Sequence, residues 1–192
     1  EFADSVGVDV VNTSLGYYHF DEGYEPYRYR DLDGHTSLMS HSASMATDKG
    51  IVVVCSAGNS GADAWKKVTP PGDAENVLVV GALTKNLINA EFSSIGNTTD
   101  GRIKPDVMAI GAPSVVSGKD GTVSKANGTS FASPTMCGVV VCFWPSCPWL
   151  TAKGLVKAVQ QAGDRVDFPD NIYGYGVPNL WKAYQKELEK KK

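Results

Sequence analysis

The chain has 192 residues, 42% hydrophobic and 20% charged, with a formal net charge of −3, which suits one ordinary globular domain with a substantial core. The acidic balance and the lack of a basic stripe argue against nucleic acid as a partner. Only Glu189-Lys190-Lys191-Lys192 is locally basic, and it reads as a solvated helix end. No apolar run approaches the ~20 residues of a membrane-spanning helix.

The opening residues, Glu1-Phe2-Ala3-Asp4-Ser5, carry no leader-like pattern and read like the end of a helix, so further chain is expected upstream. Residues 8–13 are β-branched and predict a strand. Residues 20–34, rich in Tyr, Arg and Asp, read as a surface excursion. Residues 37–49 predict a helix, stopped by Gly50. Residues 51–55 are uninterruptedly apolar, as in a strand covered on both faces, and residues 77–82 and 106–110 repeat the pattern. Buried strands alternating with helices predict an α/β fold with a largely parallel sheet. Residues 129–144 are apolar nearly all round and predict a central buried helix, ended by Pro145 and Pro148. Thr151 caps a helix running to Gly163. Asn179 caps a last one whose apolar face is Leu180, Trp181, Tyr184 and Leu188.

None of the four cysteines is paired with zinc-like spacing. Cys55 and Cys137 lie in apolar runs and read as buried thiols. Cys142 and Cys147 flank Pro145 and could meet in a disulfide across a helix end.

The stretch Asn127-Gly128-Thr129-Ser130-Phe131-Ala132-Ser133-Pro134 carries the chemistry. Gly128 allows a sharp turn and a close ligand, and Pro134 sits where a first helical turn needs no N–H. Ser130 then stands at a helix N-terminus, with unpaired amides around it. Locally it is either a helix cap or a nucleophile.

The string Gly128-Thr129-Ser130-Phe131-Ala132-Ser133-Pro134 resembles the nucleophile motif of the subtilase family of serine proteases (peptidase S8), G-T-S-x-A-S-P. Gly50-Ile51-Val52-Val53-Val54-Cys55-Ser56-Ala57-Gly58-Asn59-Ser60-Gly61 resembles the family strand that ends in its oxyanion-hole Asn. Asn12-Thr13-Ser14-Leu15-Gly16 resembles its S-L-G strand end. Phe92-Ser93-Ser94-Ile95-Gly96, Lys104-Pro105-Asp106-Val107 and Tyr173-Gly174-Tyr175-Gly176-Val177-Pro178-Asn179-Leu180 resemble further family turns, so the likeness covers nearly the whole chain outside residues 20–34.

The resemblance implies a three-layer, doubly wound, mostly parallel sheet, here truncated at its N-terminal half. It implies Ser130 as nucleophile, with Asn59 and the Ser130 N–H as oxyanion donors. Ser14, Leu15 and Gly16 would form one wall for a polypeptide substrate, and Ser56, Ala57 and Gly58 the other, with Asn127, Gly128 and Thr129 framing the nucleophile. Such small wall residues leave room for a sizeable apolar side chain. The family often has a cis bond at the position of Pro71. It needs no cofactor. Structural calcium is common in its loops, but no Asp/Glu cluster here has ligand spacing. Its habit is secretion.

The family order is Asp, then His, then Ser, with both partners ahead of S-L-G. Here Ser14 leaves no room for them, and His19, His35 and His41 lack the family's His motif. The chain alone is therefore expected to be inactive, and the exposed sheet edge is expected to promote self-association. A pseudoprotease acting as a peptide-binding module is the alternative. G-x-S-x-G and G-x-G-x-x-G strings, which would suggest other α/β enzymes, are absent.

Overall fold

The computed structural model describes residues 1–191. The elements run α1 (Phe2–Ser5), β1 (Val10–Thr13), α2 (Leu38–Asp48), β2 (Val52–Ser56), β3 (Leu78–Thr84), β4 (Val107–Ala112), β5 (Ser114–Ser117), β6 (Val123–Ala126), α3 (Thr129–Phe143), α4 (Ala152–Gln161) and α5 (Leu180–Glu189). Strands β1 to β4 form one parallel sheet in that order, with Val10 beside Val52, Val54 beside Leu78 and Val80 beside Val107.

The sheet is covered on both faces. Val52, Val54, Leu78, Val80 and Val107 pack with Ala132, Met136 and Val140 of α3 and with Leu155 and Val159 of α4. Ile51, Val53, Cys55, Val77 and Val79 point the other way, against Ala43 and Ala46 of α2. All five residues of β2 are buried. That is why its sequence runs Val-Val-Val-Cys before Ser56 rather than alternating with polar residues. The caps are as expected: Thr151 accepts from the Gly154 N–H at 3.1 Å, and Asn179 from that of Lys182 at 3.1 Å. Gly50, at φ +94°, ends the α2 segment where only glycine is comfortable.

The structure corrects several expectations. Helix α3 is not buried all round. Thr129, Ala132, Ser133, Met136, Val140 and Phe143 form one buried stripe, while Val139 and Val141 are 39% and 48% exposed. It lies on the sheet by that stripe, and Leu180, Trp181 and Tyr184 of α5 line a groove beside Val139. In α5 the buried positions are Ala183 and Glu187, and Trp181 and Leu188 are exposed. The antiparallel hairpin β5–β6 was not expected. All four cysteines are free; Cys142 is exposed and Cys147 buried, so no disulfide closes around Pro145. Cys137 is only half-buried. Residues 21–30 are mostly exposed, but the end of this excursion is tied down. Leu32 is fully buried, and the Gly34 N–H donates to the buried Asp73 carboxylate at 2.8 Å.

Candidate active site

Strands β1 and β2 are parallel neighbours, with Thr13 beside Cys55, so the segments following them leave the same end of the sheet side by side. The N-terminus of α3 reaches that end too. Carboxyl ends of parallel strands are where open α/β sheets place their ligand crevices. A cleft of roughly 330 Å³ lies there, lined by Ser14, Leu15, Gly16, Ser56, Gly58, Asn59, Thr129 and Ser130, and further by Tyr17, Tyr18, Ser60 and Thr69.

Ser130 occupies the first turn of α3, where backbone amides lack intrahelical acceptors. Its Oγ donates to the Ser14 carbonyl at 3.2 Å. In return, Ser14 Oγ donates to the Ser130 carbonyl at 3.1 Å. Pro134 explains why that carbonyl is available. It lies inside the helix, beyond the amide-free first turn, four residues after Ser130, and brings no N–H to close the helical bond. The proline is therefore not a harmless first-turn residue; it frees an acceptor that Ser14 takes.

Two residues not singled out for the site extend this network. The buried Ser133 Oγ donates to Asn12 Oδ1 at 2.7 Å, and Asn12 Nδ2 donates to Ser14 Oγ at 3.1 Å. Nothing in the sequence marks this pairing across 121 positions beyond the adjacency of Asn12 to Ser14 and of Ser133 to the Ser130 motif.

Asn59 is fixed by Thr129. Its Oδ1 accepts from both the Thr129 N–H and the Thr129 Oγ1, each at 2.9 Å. One carbonyl oxygen thus caps the first amide of α3, and the same bonds settle which end of the side chain carries nitrogen. Thr129 Oγ1 also accepts from the Gly58 N–H at 3.2 Å. Asn59 is exposed and its Nδ2 is turned toward Gly128, where an added Cβ would stand 3.5 Å away in ordinary contact. Gly128 itself has an extended backbone, φ 164°, so the expected sharp turn is not what places a glycine there.

Two expected site residues lie off the cleft. Ala57 is fully buried in the core beneath its wall, and Asn127 is exposed between β6 and α3 without lining the cavity. The Pro70–Pro71 bond is cis. Thr69 lines the cleft, is 4% exposed, and its Oγ1 has no hydrogen-bond partner. Leaving such a group unpaired costs about 1–3 kcal/mol.

No His, Asp, Glu, Lys, Arg or Cys side chain lines the cleft among the described residues. His19 and His41 are exposed, and His35 pairs at 3.5 Å with Glu75 on the surface. Ser130 therefore shares the cleft with Asn59 and with no imidazole or carboxylate. No group of three or more His, Cys, Asp or Glu among the described residues is placed to hold a metal ion.

The sequence profile of the subtilase family matches residues 2–176. The chain belongs to the subtilase family. This subtilase chain is similar to subtilisin DY of Bacillus licheniformis, with 30% identity over 186 residues that cover 96% of the chain and 60% of that protein. It is also similar to serine protease AprX of Bacillus subtilis strain 168, with 33% identity over 194 residues, covering 90% of the chain and 42% of that protein. Among solved structures, the self-cleaved protease domain of PatA superposes with a TM-score of 0.73 at 19% identity, over 98% of the chain and 65% of that domain. The prenylagaramide maturation protease PagA gives 0.72 at 20% identity, over 97% of the chain and 64% of that structure. These structural likenesses speak for the subtilisin-like α/β fold. The subtilase chain spans less than two thirds of the length of each of these four relatives.

Proposed function

We propose that the chain contributes the attacking and oxyanion-binding half of a serine endopeptidase site. Ser130 Oγ adds to the scissile carbonyl carbon of a polypeptide. The oxyanion so formed is taken by Asn59 Nδ2 and the Ser130 N–H, which act where charge develops and need no reorganisation. The substrate lies extended between segments 14–16 and 56–58, held by backbone bonds. The observation that carries this reading is the Asn59 side chain, whose Oδ1 is held by Thr129 while Asn59 and Ser130 line one cleft.

The hydroxyl proton must go to a base, and the cleft offers none, so an imidazole with its orienting carboxylate is proposed to come from chain outside these 192 residues. Calcium in loops and secretion are proposed on family habit alone. The test compares peptide hydrolysis by the chain by itself and by the chain joined to its upstream segment, each with and without Ser130→Ala. Activity is expected only in the joined protein with Ser130 intact. Casein cleavage by the 192-residue chain, abolished by Ser130→Ala, overturns the need for an external base. No Ser130-dependent hydrolysis by the joined protein overturns the protease reading and favours a peptide-binding module.

A further inference from the structure

The buried hydroxyl of Thr69 has no part in the acyl-transfer chemistry. Buried hydroxyls are nearly always paired, so an unpaired one in the wall of a binding cleft points to a partner that arrives with the ligand. Thr69 is held firmly: its N–H donates to the Ala57 carbonyl at 3.1 Å, and the preceding Val68 is fully buried. Its side chain stands between the two cleft walls. A Cβ on Gly16 would collide with Thr69 Oγ1, and one on Gly58 would lie 2.7 Å from that oxygen and 3.1 Å from Thr69 Cγ2. The small residues of the walls therefore do not leave a deep slot; Thr69 fills the space they vacate.

We infer that Thr69 sets the depth and polarity of the pocket for the residue just before the scissile bond, and that this pocket takes a short, hydrogen-bonding side chain, serine first. The inference rests on the proposed reading of the cleft as a peptide site. It replaces the expectation of a sizeable apolar side chain. A serine hydroxyl both donates and accepts, so it pairs with Oγ1 in either sense once it enters between the walls. Alanine fits but leaves the hydroxyl orphaned. Phenylalanine must displace Thr69 and also bury its oxygen unpaired. Pockets built to hydrogen-bond a ligand discriminate more strongly than those that merely measure size.

The test needs no catalysis. Acetyl-Ala-Ala-Ser, acetyl-Ala-Ala-Ala and acetyl-Ala-Ala-Phe, as free acids, are titrated into the folded chain and followed by amide chemical shifts at Thr69 and Ser130. The serine peptide is expected to bind at least ~10-fold more tightly than the phenylalanine peptide. Thr69→Val keeps the volume and removes the hydroxyl, so serine should fall to the level of alanine with phenylalanine still excluded. Thr69→Gly should admit phenylalanine. Equal or tighter binding of phenylalanine by the unmodified chain overturns the inference alone. So does an unchanged serine preference in Thr69→Val, the shape-conserving variant that guards against a folding defect in Thr69→Gly. No binding of any peptide at millimolar concentration overturns the peptide-cleft reading as well.

Discussion

Ser14 and Ser130 hold each other twice, hydroxyl to carbonyl in both directions, at 3.1 and 3.2 Å across 116 positions of sequence. The pair joins the end of β1 to the mouth of α3, and so ties one wall of the cleft to Ser130. It exists because Pro134 withdraws the N–H that the Ser130 carbonyl would otherwise accept.

Ser14→Ala should therefore lower stability by about 1–3 kcal/mol, since it leaves a part-buried carbonyl unpaired. Pro134→Ala restores an amide to the helix, and in that background the same Ser14→Ala change should cost clearly less. A double-mutant cycle by urea unfolding measures the difference. Equal costs in both backgrounds would mean that the Ser14 bond does not serve the carbonyl freed by the proline.

Asn59 has two separable jobs, one for each end of its amide. Asn59→Asp keeps an oxygen for the Thr129 N–H and removes the nitrogen donor. It should retain thermal stability while hydrolysis by the joined protein drops. Loss of one such donor costs about 10²–10³-fold in kcat in subtilisins, the worked case for this effect. Asn59→Ala removes the cap as well and should lose a further ~0.5–2 kcal/mol of stability. Melting temperature and kcat, measured on both variants, separate the roles; a parallel loss of both quantities in Asn59→Asp contradicts the division.

Much of this was legible in the sequence. Strands β2 and β3, and β4 apart from Ile110, are largely apolar runs buried on both faces, which suits few other structures. The Ser130 and Asn59 strings are compact, so contiguous residues reveal them. The exposed flank of α3 was not legible, because composition reports how apolar Val139 and Val141 are but not what covers them. Hairpin β5–β6 is short and largely exposed, and it lacks the apolar run that signals a strand. The Asn12–Ser133 bond and the wedge of Thr69 between Gly16 and Gly58 depend on contacts between segments far apart in the chain. No local pattern encodes them.

The cysteines should react in order of exposure. Cys142 is exposed and should be labelled by a thiol reagent in the native protein, whereas Cys55 should stay silent until the chain unfolds. Burial pushes the Cys55 thiol from 9.0 up to about 12. The folded state thus keeps the proton more tightly than the unfolded state does. Its contribution to stability is full below pH 9 and declines as pH rises from there toward 12. Cys55→Ala should flatten that alkaline decline in urea-unfolding experiments run across pH 8 to 11. A native Cys55 that reacts as fast as Cys142 would overturn the argument.

Strand β1 ends the sheet among the described residues, so its outer backbone groups have no strand partner there. Beside it, Asp9, Val10, Val141, Trp144, Pro145 and Pro148 line an apolar groove of about 310 Å³. An unpaired edge flanked by an exposed apolar helix face is a template for another chain. The 192-residue chain should therefore self-associate with rising concentration, seen as growing mass by light scattering. Val141→Lys places a charge on this flank without touching the buried stripe of α3, so it should shift the equilibrium toward monomer and leave the melting temperature of the monomer nearly unchanged. A chain that stays monomeric at high concentration shows instead that the charged Asp9 and the brevity of β1 are enough to protect the edge.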